Sequence, residues 1–136
     1  MKYTNKDHTF AVCAYKESVY LEELLDSLNN QTVKTNIIIT TSTPNNFIYS
    51  LAERYHVPVF VNNGPKGISG DWNFAVQSAN TELVTIAHQD DIYEPEYAEE
   101  MLAAMNSAKE PIIAFSHYAE LRNGEKVYSN RLLKIK

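Results

Sequence analysis

Leu83-Val84-Thr85-Ile86-Ala87-His88-Gln89-Asp90-Asp91-Ile92-Tyr93-Glu94-Pro95 passes abruptly from an apolar run to an imidazole, an amide and two adjacent carboxylates. Leu83 to Ala87 is uncharged and rich in β-branched residues, the pattern of a strand buried on both faces of a sheet. The polar cluster then falls at the carboxyl end of that strand. Adjacent ionised aspartates repel each other and lose hydration there, a cost offset by a cation, a helix amino terminus or a ligand. Carboxylate oxygens beside an imidazole suit Mg²⁺ or Mn²⁺. In open α/β sheets ligands bind outside the carboxyl ends of the strands. The plainer alternative is that Asp90 and Asp91 begin a loop leading into a helix opened by Pro95, with Glu96, Glu99 and Glu100 near its positive end.

Working outward, strands and helices alternate. Phe10–Ala14 reads as a first strand, followed by the exposed loop Tyr15-Lys16-Glu17. Ser18 can cap a helix over 18–30 whose apolar face is Leu21, Leu24, Leu25 and Leu28, with Asn29-Asn30 as its stop. Asn36–Thr40 is a second strand, and Thr41–Asn46 a turn rich in hydroxyls. A helix carrying Phe47, Leu51 and Tyr55 ends near His56. Val57–Val61 is a third strand, placed at a sheet edge by Pro58. A loop over 62–67 leads to a helix over 69–80, then the central strand, then a helix to about Ser107. Pro111–Phe115 reads as a fifth strand and Tyr118–Tyr128 as a hairpin turning at Asn123-Gly124. Such alternation implies right-handed crossovers and a mainly parallel sheet, an α/β fold.

The chain has 136 residues, a formal net charge of −5 and a single cysteine, Cys13. That length suits one domain spanning 1–136. The scattered basic residues give no electrostatic footprint for nucleic acid. One cysteine excludes an internal disulfide, fits a reducing compartment and, inside a strand, reads as a buried thiol. No signal-type segment and no run approaching the ~20 apolar residues of a membrane span is visible, so a cytoplasmic location is expected, with membrane contact only through parts outside this chain. His8, His56 and His117 lack partners at metal-ligand spacing and read as structural or solvated.

The order of these pieces resembles the nucleotide-sugar-binding half of family 2 glycosyltransferases of the GT-A fold, a Rossmann-like arrangement, over roughly residues 8–108. Cys13-Ala14-Tyr15-Lys16-Glu17 stands where that family has a Pro-Thr-Tyr-Asn-like loop. Leu25-Asp26-Ser27-Leu28-Asn29-Asn30-Gln31 matches its Leu-x-Ser-Leu-x-x-Gln helix, and Ile37 to Thr43 its second strand. Gly67-Ile68-Ser69-Gly70-Asp71-Trp72-Asn73 resembles its glycine loop and helix. His88-Gln89-Asp90-Asp91 before Pro95 resembles its Asp-x-Asp-Asp element.

The resemblance implies a metal-dependent, inverting transfer of a sugar from a nucleoside diphosphate sugar to an acceptor hydroxyl on a saccharide or lipid-linked saccharide. It implies that Asp90 holds the Mn²⁺ or Mg²⁺ that bridges the diphosphate, with Asp91 and His88 as further ligands. It implies a nucleotide-sugar site of Ala14, Tyr15, Glu17, Thr41, Lys66, Gly67, Asn73, Gln89 and Asp90. Three positions depart from the pattern: His88 replaces the first Asp, Thr41 with Ser42 replaces a nucleobase-reading Asp, and Trp72 replaces an Arg, leaving Lys66 as a nearby phosphate contact. Trp72 reads equally well as a core residue or as part of the site.

Family members place their acceptor pocket and catalytic base beyond this half. Here Glu120 and Glu125 flank the hairpin and read as solvent-facing, so no general base is identified. The chain is therefore expected to be a donor-binding fragment of a longer enzyme or a compact homologue. A non-catalytic nucleotide-sugar-binding or interaction module is the alternative. A nucleotidyltransferase is remoter, since the loop after the first strand has no glycine.

Overall fold

The computed structural model describes residues 3–109, 111, 113–114, 120–122 and 125–127, the last two segments by their backbone alone. After a short 3-10 turn, Asn5–Asp7, the elements are β1 (His8–Ala14), α1 (Leu21–Asn29), β2 (Asn36–Thr41), α2 (Asn46–Tyr55), β3 (Val59–Val61), α3 (Gly67–Ala79), β4 (Leu83–His88), α4 (Tyr97–Ser107), β5 (Glu120–Arg122) and β6 (Glu125–Val127). The first four strands form one parallel sheet in the order β3-β2-β1-β4, and β5 pairs antiparallel with β6. The chain winds outward from β1 through β2 to β3, then returns through α3 to the far side of β1. The direction of winding therefore reverses between β1 and β4, which makes that crevice the topological switch point.

Strand alternation divides the core into two layers. Phe10, Val12 and Ala14 of β1 and Ile39 of β2 face α1 and α2, with Leu21, Leu24, Leu25, Leu28, Ile48 and Leu51 packed against them and Ala98 of α4 closing the cluster. Ala11 and Ile38 face the other way, onto Ala75 and Ala79 of α3, with Cys13 and Val84 alongside. Small residues there let α3 approach the sheet closely. The period of two in the strands meeting helical spacing in α1 is what lets both faces be covered.

Several sequence expectations shift. β4 is the outer strand among the described residues, so Leu83, Val84, Thr85 and Ile86 are half-buried, and Ala87 alone is buried, instead of all lying between two covered faces. α1 begins at Leu21 because Ser18 shapes the preceding turn, its carbonyl accepting from Leu21 N and its Oγ from Tyr20 N. Pro95 lies before α4, whose first residue is Tyr97, because the Glu94 carbonyl accepts from Tyr97 N and the Pro95 carbonyl from Thr32 N. β3 is an edge strand as Pro58 implied, though it starts at Val59. The hairpin is present, whereas its turn at 123–124 and residues 112 and 115 of the expected strand over 111–115 lie outside the described residues. Pro111, Ile113 and Ala114, which are described, belong to no strand.

His8, by contrast, is structural: its ring is buried in β1, contacts Thr35 Oγ1 at 2.9 Å and Thr85 Oγ1 at 2.7 Å, and meets Phe10 edge-on. His56 terminates α2 in the left-handed conformation, and His117 lies outside the described residues. No helix among the described residues is long and apolar enough to cross a membrane.

Candidate functional site

The parallel register brings Ala14 level with Thr41, and Cys13 level with His88, so the loops after β1, β2 and β4 open on one edge of the sheet. Between the β1 and β4 loops lies a cleft of about 400 Å³ lined by Cys13, Ser18, Tyr20, His88, Gln89 and Asp90. Ser18, read in the sequence only as a helix cap, and Tyr20 were not expected at the site; the fold carries them to the cleft.

The acid pair is shaped by a turn. The His88 carbonyl accepts from Asp91 N at 3.0 Å, closing a β-turn over residues 88–91 in which Asp90 is exposed and Asp91 half-buried. Burial pushes the Asp91 carboxyl above its ordinary range; His88 counteracts this, whereas the charge of Asp90 adds to it. The segment after the turn is fastened by α1. Ser27 Oγ accepts from Tyr93 N, and Gln31, itself buried, donates from Nε2 to the Glu94 carbonyl at 2.7 Å and accepts at Oε1 from Ala98 N at 2.9 Å. The Ser27 and Gln31 positions of the helix pattern thus act as a bracket for the acid turn, a role that the sequence did not disclose.

His88 is half-buried and its ring lies 5.1 Å from that of Trp72, tilted by 46°. That contact puts Trp72, 40% exposed, on the site side of α3 and not in the core. Asp71 beside it accepts from Asn62 Nδ2 at 2.9 Å and from Ser42 Oγ at 3.5 Å, joining the ends of β2 and β3 to α3. Cys13 is half-buried, and its thiol is pushed up in pKa chiefly by burial.

The remaining predicted residues divide. Ala14 is buried in the core, so it offers the site its backbone, and the Thr41 hydroxyl, also buried, accepts from Thr43 N. Tyr15 is 52% exposed, with the Lys16 ammonium 5.1 Å above its ring. Glu17 is exposed on the same loop. Gln89 lines the cleft, and its amide is engaged with the backbone of Tyr15, accepting from Tyr15 N at 2.9 Å and donating to the Tyr15 carbonyl at 3.2 Å. Lys66, which precedes α3 as its N-cap, and Gly67 and Asn73 in its first two turns are exposed, outside the set lining the cleft.

As for a cation, no group of three His, Cys, Asp or Glu side chains suited to one gathers among the described residues. An ion that keeps several waters and shares substrate phosphates needs only one or two carboxylates from the protein, and Asp90 with Asp91 fits that kind of donor set.

Comparison with known proteins follows the same lines. No curated protein matches the chain. The solved structure of S. aureus TarS superposes with a TM-score of 0.65 at 20% identity, over 74% of this chain and 20% of that one. The chain thus spans about a fifth of the length of TarS, and the likeness shows the shared fold, the Rossmann-like GT-A arrangement. The model of the family described as glycosyl transferase family 2 matches residues 9–133. That match takes in every strand of the parallel sheet and both flanks of the cleft, and the chain belongs to glycosyl transferase family 2.

Proposed function

We propose that the chain is the donor-binding domain of an inverting glycosyltransferase, holding a nucleoside diphosphate sugar in the cleft at the switch point together with Mn²⁺ or Mg²⁺ at Asp90 and Asp91. The observation that carries this reading is the convergence of the loops after β1 and β4 on one cleft at the switch point, with Asp90 at its rim and the half-buried Asp91 next to it. Asp90 is exposed on its turn and available as a ligand, while the half-buried Asp91 is the carboxylate whose charge a neighbouring cation would stabilise. When bound, the ion would neutralise charge gathering on the departing diphosphate. The chain's own residues orient the donor: Tyr15 offers an aromatic face for a base, and His88, with the Trp72 ring against it, lines the cleft. The cleft holds one carboxylate, Asp90, so donor binding is what its described residues support. Sugar transfer to a saccharide or lipid-linked acceptor is the activity proposed for the whole protein.

Mn²⁺ with UDP, GDP, CDP, ADP or dTDP is expected to raise the melting temperature of the chain, and Asp90→Ala to abolish the shift. No shift with any of these five nucleotides refutes the proposal.

A further inference from the structure

β1 is flanked by a strand on each side, so the loop leaving it can be gripped from both. Its first two residues are gripped completely. Gln89 of the β4 loop takes both backbone groups of Tyr15, accepting from the N–H and donating to the carbonyl. From the β2 loop, Thr43 Oγ1 accepts from Lys16 N at 2.6 Å and Asn45 Nδ2 donates to the Lys16 carbonyl at 3.1 Å. Four consecutive backbone groups beyond the end of a strand are thus satisfied by three side chains from two other loops. Lys16 stands in the left-handed region with φ 55°, a conformation that costs a non-glycine residue free energy and persists where its surroundings impose it. Asn45 is itself fixed, because its Oδ1 accepts from Ile48 N as the cap of α2.

Nothing about Gln89 requires this for folding alone: it lies in an open loop, and water could satisfy the same Tyr15 groups. What the clip does achieve is to join the segment bearing the exposed Tyr15 ring to the residue immediately before Asp90. Resting on the reading of the cleft as a nucleotide site, we infer that Gln89 is a positioning residue whose amide presets the distance between the nucleoside-facing Tyr15 platform and the diphosphate-facing acid pair. Thr43 and Asn45 brace the same platform from the other side. The nucleoside half of the ligand then meets an ordered surface, and little ordering cost is charged against binding. The phosphate half does not depend on the clip.

The test compares the wild-type chain with Gln89→Met, which keeps the side-chain bulk and removes both hydrogen bonds, and with Thr43→Val. Each is titrated by calorimetry, in Mn²⁺, with the nucleoside diphosphate that binds best and with inorganic pyrophosphate. Gln89→Met is expected to weaken the nucleoside diphosphate about tenfold, the size of two net neutral hydrogen bonds, and to leave pyrophosphate unchanged. Thr43→Val should do the same to a smaller degree. Amide exchange supplies a readout that does not involve ligand: Tyr15 N–H should lose protection in Gln89→Met alone, and Lys16 N–H in Thr43→Val alone. Equal loss for both ligands, or unchanged nucleotide affinity in Gln89→Met, overturns the positioning role while leaving the nucleotide site standing. A wild-type chain that binds no nucleoside diphosphate overturns both.

Discussion

Gln31→Leu removes the side chain on which the acid turn and α4 both hang. Gln31 is 3% exposed. Its Nε2 donates to the Ser27 carbonyl at 3.2 Å and to the Glu94 carbonyl at 2.7 Å, and its Oε1 accepts from Ala98 N at 2.9 Å. Ala98 is in the first turn of α4, where an N–H has no acceptor in its own helix, and the residue is only 1% exposed. Leaving that buried donor unmatched costs about 1–3 kcal/mol, and the two carbonyl contacts together contribute about 1–2 kcal/mol. The sum is about 3 kcal/mol. For a chain of this length 1 kcal/mol corresponds to roughly 3–5 °C, so the melting temperature should fall by about 10 °C. Gln31→Glu separates the contributions, because its carboxylate still accepts from Ala98 N at the positive end of α4 but cannot donate to Glu94; it should lose about half as much. Thermal and urea unfolding of the three proteins decides the matter. A Gln31→Leu protein melting within about 2 °C of wild type would refute the bracket, and equal losses for Leu and Glu would show that the Ala98 contact is not its main part.

The buried His8 ring gives the fold an acid sensitivity of definite sign. Burial lowers its pKa from 6.5 to about 4. Above pH 6.5 it is neutral in folded and unfolded chains alike; as pH falls, the unfolded chain takes up a proton that the folded one refuses, so stability is lost between pH 6.5 and 4, by up to about 3 kcal/mol. The raised pKa of Asp91 acts in the opposite direction but is common to wild type and His8→Gln, so urea midpoints at pH 7 and 4.5 should diverge less in the variant. At the start of α3, a Cβ on Gly70 would lie 2.2 Å from the Pro65 carbonyl oxygen, whereas one on Gly64 would meet nothing nearer than 3.6 Å. Gly70→Ala is therefore expected to destabilise by more than about 2 kcal/mol and Gly64→Ala by less than about 1 kcal/mol, read from chemical denaturation; similar values for the two would contradict the packing of the 62–67 loop.

The alternation of elements was legible because it rests on local periodicities. Leu21, Leu24, Leu25 and Leu28 at helical spacing form the buried face of α1, and Pro58 marks the edge strand. Element ends were less legible, since Ser18 and Pro95 each look like helix starters and each instead forms the turn before a helix through hydrogen bonds to neighbours. For the site, the sequence singled out Asp90, Asp91, His88 and the Tyr15 loop, all of which the structure gathers along one sheet edge. It could not place Trp72, whose apolar surface suits a core equally well until His88 is found against it. Nor could it show that Gln89 turns its amide on Tyr15, or that Ser27 and Gln31 fasten the acid turn, because these contacts join residues 63 to 74 positions apart.

What the sequence by itself determined is the α/β alternation, the apolar faces and the family pattern that ends in Asp90 and Asp91, because each is carried by residues a few positions apart. Tertiary structure alone decided that β1 lies between β2 and β4, so that winding reverses beside it and a cleft opens there. It also decided which polar side chains face a ligand and which are consumed in holding the loops. A hydrogen-bonding group is assigned to one duty or the other only by the neighbours that folding brings within about 3 Å of it.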